Sequence, residues 1–331
     1  MPAKFFAPNL ALQNQLEGIL EAVWLQFPDV AQNQLAVTWI PYEPPYRVNT
    51  GGALSVEDFW QYCPQGASYR GVELFVPGRL AHLFYLVALH DWLEQKMVQP
   101  SDEIERALTD MMASEGSRTN HDAASYVVDV LSGTTSGPSL PPGPAETWAS
   151  QRNIINRYFA QLGWLELRSI NLNQKTWNNG PYGREYDFLG KTLENQNQLT
   201  TESAARLLHS IVGGVSVSSM RSQQMMNLIE RSSSLQRLKL GLDVTQIWLQ
   251  ESVDESGAHV VAYIEDQTVH PYLLAVFSEP SKGGKQISQD SIRTSQSFQL
   301  IEEYDSDEVS RVVEFIAQKI FVQSQQNFLE S

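Results

Sequence analysis

A single cysteine, Cys63, stands in 331 residues. One thiol closes no intrachain disulfide and builds no cysteine-based zinc site. Basic residues are scarce: 23 Lys+Arg face 38 Asp+Glu, a formal charge of −15. This balance argues against sequence-independent nucleic-acid binding, which draws on clustered cations to displace phosphate counterions. It also disfavours docking on anionic lipid. No apolar run reaches the roughly 18 residues of a membrane-spanning helix. The opening stretch MPAKFFAPNLALQNQLEGI holds no apolar signal region, so the expected location is the cytoplasm. What the chain does have is a 42% hydrophobic composition. That is enough for a sizeable core, in one large or two modest domains at about 150 residues each.

Residues 9–26 carry apolar side chains at Leu12, Leu16, Ile19, Leu20 and Val23, the spacing of an amphipathic helix with Asn9 as its N-cap. LAVTWIPY (35–42) reads as a strand ended by Pro44-Pro45. RLAHLFYLVALHDWLE (79–94) is apolar on nearly every side, as expected of a helix in the middle of a domain. Ser101 is placed to cap a third helix, with Asp102 and Glu103 in its first turn. Further helices are predicted over about 122–131, 145–161, 200–212 and 218–230.

SGTTSGPSLPPGP (132–144) and the polar stretch 171–190 read as loops, the second long enough to be Ω-like. After Gly241 the period falls from 3.6 to 2. VTQIWLQ, AHVVAYIE and YLLAVFS are three expected strands. A last helix begins near Asp305, which has capping-box spacing to Glu308. The predicted class is α+β: an antiparallel sheet covered by N- and C-terminal helices, with an all-α subdomain inserted between its strands. The expected boundaries are 1–75 and 240–331 for the sheet part and 76–239 for the helical part.

Four segments carry a resemblance that covers about Gln34 to Phe321. They are VPGRLAHLFYLVALHDWLE (76–94), ASEGSRTNHDAASYVVDVL (113–131), LTTESAARLLHSIVGGVSVSSMRSQQMMNLIERS (199–232) and IWLQESVDESGAHVVAYIE (247–265). In this order they resemble the class A β-lactamase and penicillin-binding type of serine hydrolase, and within it the hydrolase-like proteins of cyanobacteria. The resemblance implies a β-lactamase-like fold and three catalytic motifs: S-x-x-K, S-x-N and K-[ST]-G.

In the register this resemblance sets, the serine position falls on Arg79 and the lysine position on His82. Arginine neither attacks a carbonyl nor loses its proton near neutral pH. The second motif falls on Thr119, Asn120 and His121. The third falls on Gln250, Glu251 and Ser252, so its cation is lost and an anion stands beside it. Glu185 is the only glutamate between Asn171 and Gly190, and thus the candidate for the family's deacylating carboxylate. Every motif that carries chemistry departs from pattern while the scaffold segments hold. Loss of such a nucleophile costs about 10⁴–10⁶ in rate. The chain therefore reads as a pseudoenzyme acting as a protein-interaction or scaffold module, with no cofactor and no metal.

Alternatives stand beside this reading. Arg79 either serves a repurposed anion-binding or partner-binding cleft or pairs with a nearby acid such as Glu251, closing a disused pocket. His82 and His121 are structural, or a remodelled acid–base pair. They lack a third metal ligand, and His90, two turns from His82, is too far to serve. Loop 171–190, with Trp177, Pro181, Tyr182 and Gly183, lines the cleft or packs on its own aromatics. Met111-Met112 and Met225-Met226 are expected core fillers, and EEYDSDE (302–308) a solvated helix start. GGK at 283–285 lacks the rest of a P-loop. A hydrolase with a relocated nucleophile, Ser117 or Thr119 served by His82 or His121, is the competing function, since an oxyanion hole needs only backbone N–H groups. The expected partner is a protein, with a small anion as the other candidate.

Overall fold

A computed structural model of the chain describes residues 4–42, 56–113, 118–177, 180–231, 240–254, 256–280 and 306–330; the side chains of Arg118, Thr119, Ser306 and Asp307 lie outside the description. The elements run β1 (Ala7–Pro8), α1 (Leu10–Gln26), β2 (Leu35–Pro41), α2 (Val56–Gln61), β3 (Gln65–Tyr69), α3 (Ala81–Glu94), α4 (Asp102–Met112), α5 (Arg118–Ser132), α6 (Pro142–Arg152), α7 (Ile154–Gln161), α8 (Arg184–Leu189), α9 (Thr201–Val212), α10 (Ser219–Ile229), β4 (Gln246–Asp254), β5 (Gly257–Glu265), β6 (Tyr272–Ser278) and α11 (Ser306–Glu330). The fold is α+β, with one sheet in the order β1-β3-β2-β6-β5-β4. Among the described residues, helices α3 to α10 intervene between β3 and β4 in the chain.

The strands alternate cleanly between two cores. Leu35, Val37, Trp39, Val260, Ala262, Leu274 and Val276 face one cluster, shared with Leu16, Leu20 and Val23 of α1 and Val312, Ile316 and Ile320 of α11. Ala36, Ile40, Val261, Tyr263, Leu273, Ala275 and Phe277 face the other, shared with the helical block. Each fully buried Leu, Ile, Val or Phe adds about 1.5–3 kcal/mol of transfer free energy. Burial on both faces explains why β6 reads YLLAVFS without a polar break, all seven residues being buried. It also fixes register: Leu35 pairs with Ser278 and Pro41 with Tyr272, antiparallel. A one-residue slip would exchange the two cores. The sheet departs from the antiparallel expectation only at two-residue β1, which runs parallel to β3.

Asn9 Oδ1 accepts from the Leu12 N–H and caps α1 as expected, and Ser101 Oγ does the same for Ile104 and α4. All of α3 except Asp91 and Glu94 is buried, so it is the central helix its composition implies. The predicted 145–161 helix is two helices, because the chain turns at Asn153, the C-cap of α6 and N-cap of α7. Short β3 and helices α2 and α8 have no counterpart in the periodicity. Asp305 and GGK at 283–285 lie outside the described residues.

Candidate functional site

The positions picked out in three distant segments converge at the start of α3. Gly78 has φ +51°, and a Cβ there would collide with Asp254 Oδ2 and Ser252 Oγ. Glycine lets the chain press against β4 and turn into the helix. Arg79 N–H donates to Ser252 Oγ at 2.8 Å, and Gln250 Nε2 donates to the Arg79 carbonyl at 3.2 Å. Ser252 in turn donates to Asp254 Oδ2 at 2.8 Å, and Asp254 Oδ1 accepts from the Ser256 N–H at 2.8 Å. The start of α3 is thus fastened to β4 through backbone groups on one side and a serine–aspartate relay on the other.

Strand alternation decides which residue of the third motif takes part. Trp248 belongs to the core under the helical block, while Ile247 and Leu249 belong to the core under α1 and α11. Gln250, Ser252 and Asp254 therefore share the site face. Glu251 is on the opposite face, so the expected pairing with Arg79 does not form. The acid whose field reaches Arg79 is Asp254. Arg79 is only 8% exposed. Its burial lowers the guanidinium pKa and Asp254 opposes that shift, yet the guanidinium makes no ion pair or hydrogen bond with any described residue.

His82 is fully buried. Its Nδ1 lies 3.2 Å from the Met111 carbonyl and its Nε2 2.8 Å from Thr176 Oγ1. A carbonyl only accepts, so Nδ1 carries the proton and Nε2 accepts from the threonine. Burial, with smaller contributions from His121 and Arg79, pushes its pKa down to about 3. A neutral imidazole fixed at both nitrogens has no free site for a substrate proton. His121 meets it edge-on, with ring centroids 6.1 Å apart. Burial and then Arg79 also lower the His121 pKa, and its Nδ1 is buried without a hydrogen-bond partner among the described residues.

Asn120 Nδ2 donates to the carbonyls of Asp110 (2.5 Å) and Ala113 (3.2 Å). Arg231 Nη2 donates to the Met112 carbonyl at 2.9 Å. With His82 on Met111, four successive carbonyls at the C-terminus of α4 are capped by side chains, groups that a helix end otherwise leaves unpaired. Asn120 and His82, both at motif positions, serve this cap. The Arg231 cation also suits the negative end of the helix dipole.

Glu185 lies in a different cluster and touches neither Arg79 nor His82. It is fully buried; its Oε1 accepts from Arg152 Nη2 at 2.7 Å and from Ser136 Oγ at 2.8 Å. Lys175 Nζ stands 2.6 Å from Asp129 Oδ2 and 3.7 Å from Glu185, and Arg152 reaches Asp129 at 3.4 Å. Two cations and two carboxylates thus tie α5, α6, α8 and loop 171–190 together. The same loop is pinned by Asn197 Oδ1, which accepts from the N–H groups of Asn173 and Gln174. Tyr85 donates to the Gln174 carbonyl. The Trp177–Tyr182 ring contact at 5.8 Å is a minor part of this packing.

Among the described residues no group of three His, Cys, Asp or Glu is placed to hold a metal. Ser117 and the Thr119 side chain lie outside the description. Sequence reasoning did not find Asp254, Thr176, Arg231, Arg152 or Lys175. Period-2 alternation on β4 could have indicated Asp254; the rest carry no local signal.

A sequence profile described as the Beta-lactamase enzyme family matches residues 149–297. No curated protein matches the chain. The β-lactamase of Sphaerobacter thermophilus superposes with a TM-score of 0.59 at 12% identity, covering 94% of this chain and 98% of that one. The fold is β-lactamase-like. The structure of PBP-A gives 0.55 at 12% identity over 97% and 100% of the two chains. A β-lactamase from Burkholderia vietnamiensis gives 0.51 at 11% over 95% and 97%. Among the described residues no helix of this β-lactamase-like chain is long and apolar enough to cross a membrane.

Proposed function

We propose that this chain is a degenerate, non-acylating member of the β-lactamase superfamily that acts by binding, as a cytoplasmic interaction or scaffold module. The observation that carries the reading is the commitment of the motif positions to structure. Arg79 contributes backbone groups to the β4 contact. His82 is held neutral between Met111 and Thr176, and Asn120 caps α4. No hydroxyl stands at position 79, and the imidazole at position 82 has no free nitrogen to act as a base. The test is exposure to penicillin G and to a fluorophosphonate, followed by intact-mass analysis. No adduct is expected; a stoichiometric adduct on any serine would overturn the reading.

One observation favours the competing reading of a relocated nucleophile. Half-buried Ser136 accepts from Lys175 Nζ at 2.8 Å and donates to Glu185 Oε1 at 2.8 Å, a serine–lysine–carboxylate constellation away from α3. Lys175 is engaged by Asp129 and Glu185 by Arg152, so neither is free to take the serine proton. Ester hydrolysis abolished by Ser136→Ala would support this second reading, and hydrolysis untouched by it would remove it.

A further inference from the structure

Lys175, Asp129, Glu185 and Arg152 meet away from the α3 start, and two features separate them from an ordinary ion pair. The first is burial. Arg152 and Glu185 are fully buried, and the Lys175 side chain is 4% exposed. Trp177 lies 5.8 Å from Lys175 Nζ, and Trp148 lies 4.6 Å from the Arg152 guanidinium. The second is the order of the partners. Asp129 turns Oδ2 to Lys175 Nζ at 2.6 Å and Oδ1 to Arg152 Nη2 at 3.4 Å. Glu185 stands 3.7 Å from the same Nζ. An amine, a carboxyl carbon, a cation on that carboxyl's other oxygen and a second carboxylate are thus held together in advance, the arrangement that raises effective concentration most. Burial favours the neutral forms of both reactants, and it raises the Asp129 pKa against the opposing pull of Lys175 and Arg152.

We propose that Lys175 and Asp129 condense into an intramolecular amide bond, with Glu185 carrying the proton and Arg152 holding the oxyanion. Nζ first passes a proton to Asp129 Oδ2, giving an amine beside a carboxylic acid. The nitrogen lone pair then attacks Cγ, and the carbonyl electrons move to Oδ1, which faces Arg152. The protonated nitrogen of this adduct gives a proton to Glu185. Such a nitrogen is a far stronger acid than a serine hydroxyl, so a carboxylate already paired with arginine suffices. Glu185 returns the proton to the Oδ2 hydroxyl, which leaves as water while the carbonyl reforms. One C–N bond forms, one C–O bond breaks, one water is released, and nothing is oxidised or reduced. Asp129 is 25% exposed, which leaves the water a way out. The new bond would join α5 to loop 171–190 across 46 positions. Next to Lys175, His82 and Tyr85 hold that loop by hydrogen bonds alone.

The test is the intact mass and the tryptic map of the untreated full chain. Linkage is expected to lower the mass by about 18 Da, one water. It should also replace the peptide 169–175 by a branched peptide joining 119–152 to 169–184, because trypsin does not cut at an acylated lysine. Lys175→Arg and Asp129→Ala should show the unlinked mass, and Glu185→Gln should leave most of the chain unlinked. Free peptide 169–175 from folded wild type after prolonged incubation overturns the proposal, and this result decides even if every variant fails to fold. So does a water loss that maps elsewhere or that survives Asp129→Ala. Full linkage in Glu185→Gln would overturn the role given to Glu185. The outcome is independent of the non-acylating reading, since linkage removes mass from untreated protein and acylation adds mass on treatment.

Discussion

The Arg79 N–H donates to Ser252 Oγ at 2.8 Å, and the same hydroxyl donates to Asp254 Oδ2 at 2.8 Å. Ser252 therefore joins the start of the central helix to an acid of β4 while fully buried. Ser252→Ala would strand a buried N–H and release Asp254. The expected cost is about 1–3 kcal/mol, read as a lower urea midpoint at unchanged m-value.

His82 is expected to matter for stability. His82→Ala leaves the Met111 carbonyl and the Thr176 hydroxyl without their partner and opens a cavity at the heart of the helical block. A loss of about 2–4 kcal/mol is expected. His82→Gln, which retains an amide donor and acceptor, should recover part of it. Thermal unfolding of both variants checks the order wild type, Gln, Ala.

Acid should destabilise the protein well above the carboxylate range. Burial depresses the pKa values of His82 and His209 to about 3 and that of His259 to about 4. The unfolded chain, with histidines near pKa 6.5, then binds more protons than the folded chain between about pH 6.5 and 3. The stabilisation is complete above the unfolded value and is lost as pH falls through this window. At pH 5 each such histidine lowers stability by about 2 kcal/mol relative to pH 8. Urea unfolding at pH 8, 6.5 and 5 should show a falling midpoint, with a shallower decline in His82→Gln. A flat profile would contradict neutral burial.

The sheet and the helical block were legible because period is a backbone property that burial selects. AHVVAYIE and YLLAVFS announce β5 and β6, and 79–94 announces α3 by lacking a polar face. Gln65–Tyr69 announces nothing, since its small residues fit beneath neighbours: a Cβ on Gly66 would lie 2.9 Å from the Phe6 ring. The site was half legible. The motif register named Arg79, His82, Asn120 and Ser252, which do converge. Lys175, Arg152 and Thr176 become meaningful only through contacts 33–94 residues apart in sequence, and no local pattern encodes those. Glu185 was singled out as a lone acid in a loop, a cue blind to the arginine that pairs with it.

That pair gives a further expectation. Arg152 and Glu185 are both fully buried and 2.7 Å apart. Glu185→Gln leaves the Arg152 charge with only its longer contact to Asp129 and should cost up to about 3–5 kcal/mol, loosening loop 171–190. Limited proteolysis should find new cleavage within that loop. Arg152→Met combined with Glu185→Gln should lose less than the sum of the two single changes, the signature of a coupled pair.

The central claim is that the α3 start carries a guanidinium and no working nucleophile. Incubation of the full chain with penicillin G and, separately, a fluorophosphonate, read by intact-protein mass, tests it most directly. The account predicts an unchanged mass in both; a one-to-one adduct mapped to a serine, and lost when that serine is replaced by alanine, would contradict it.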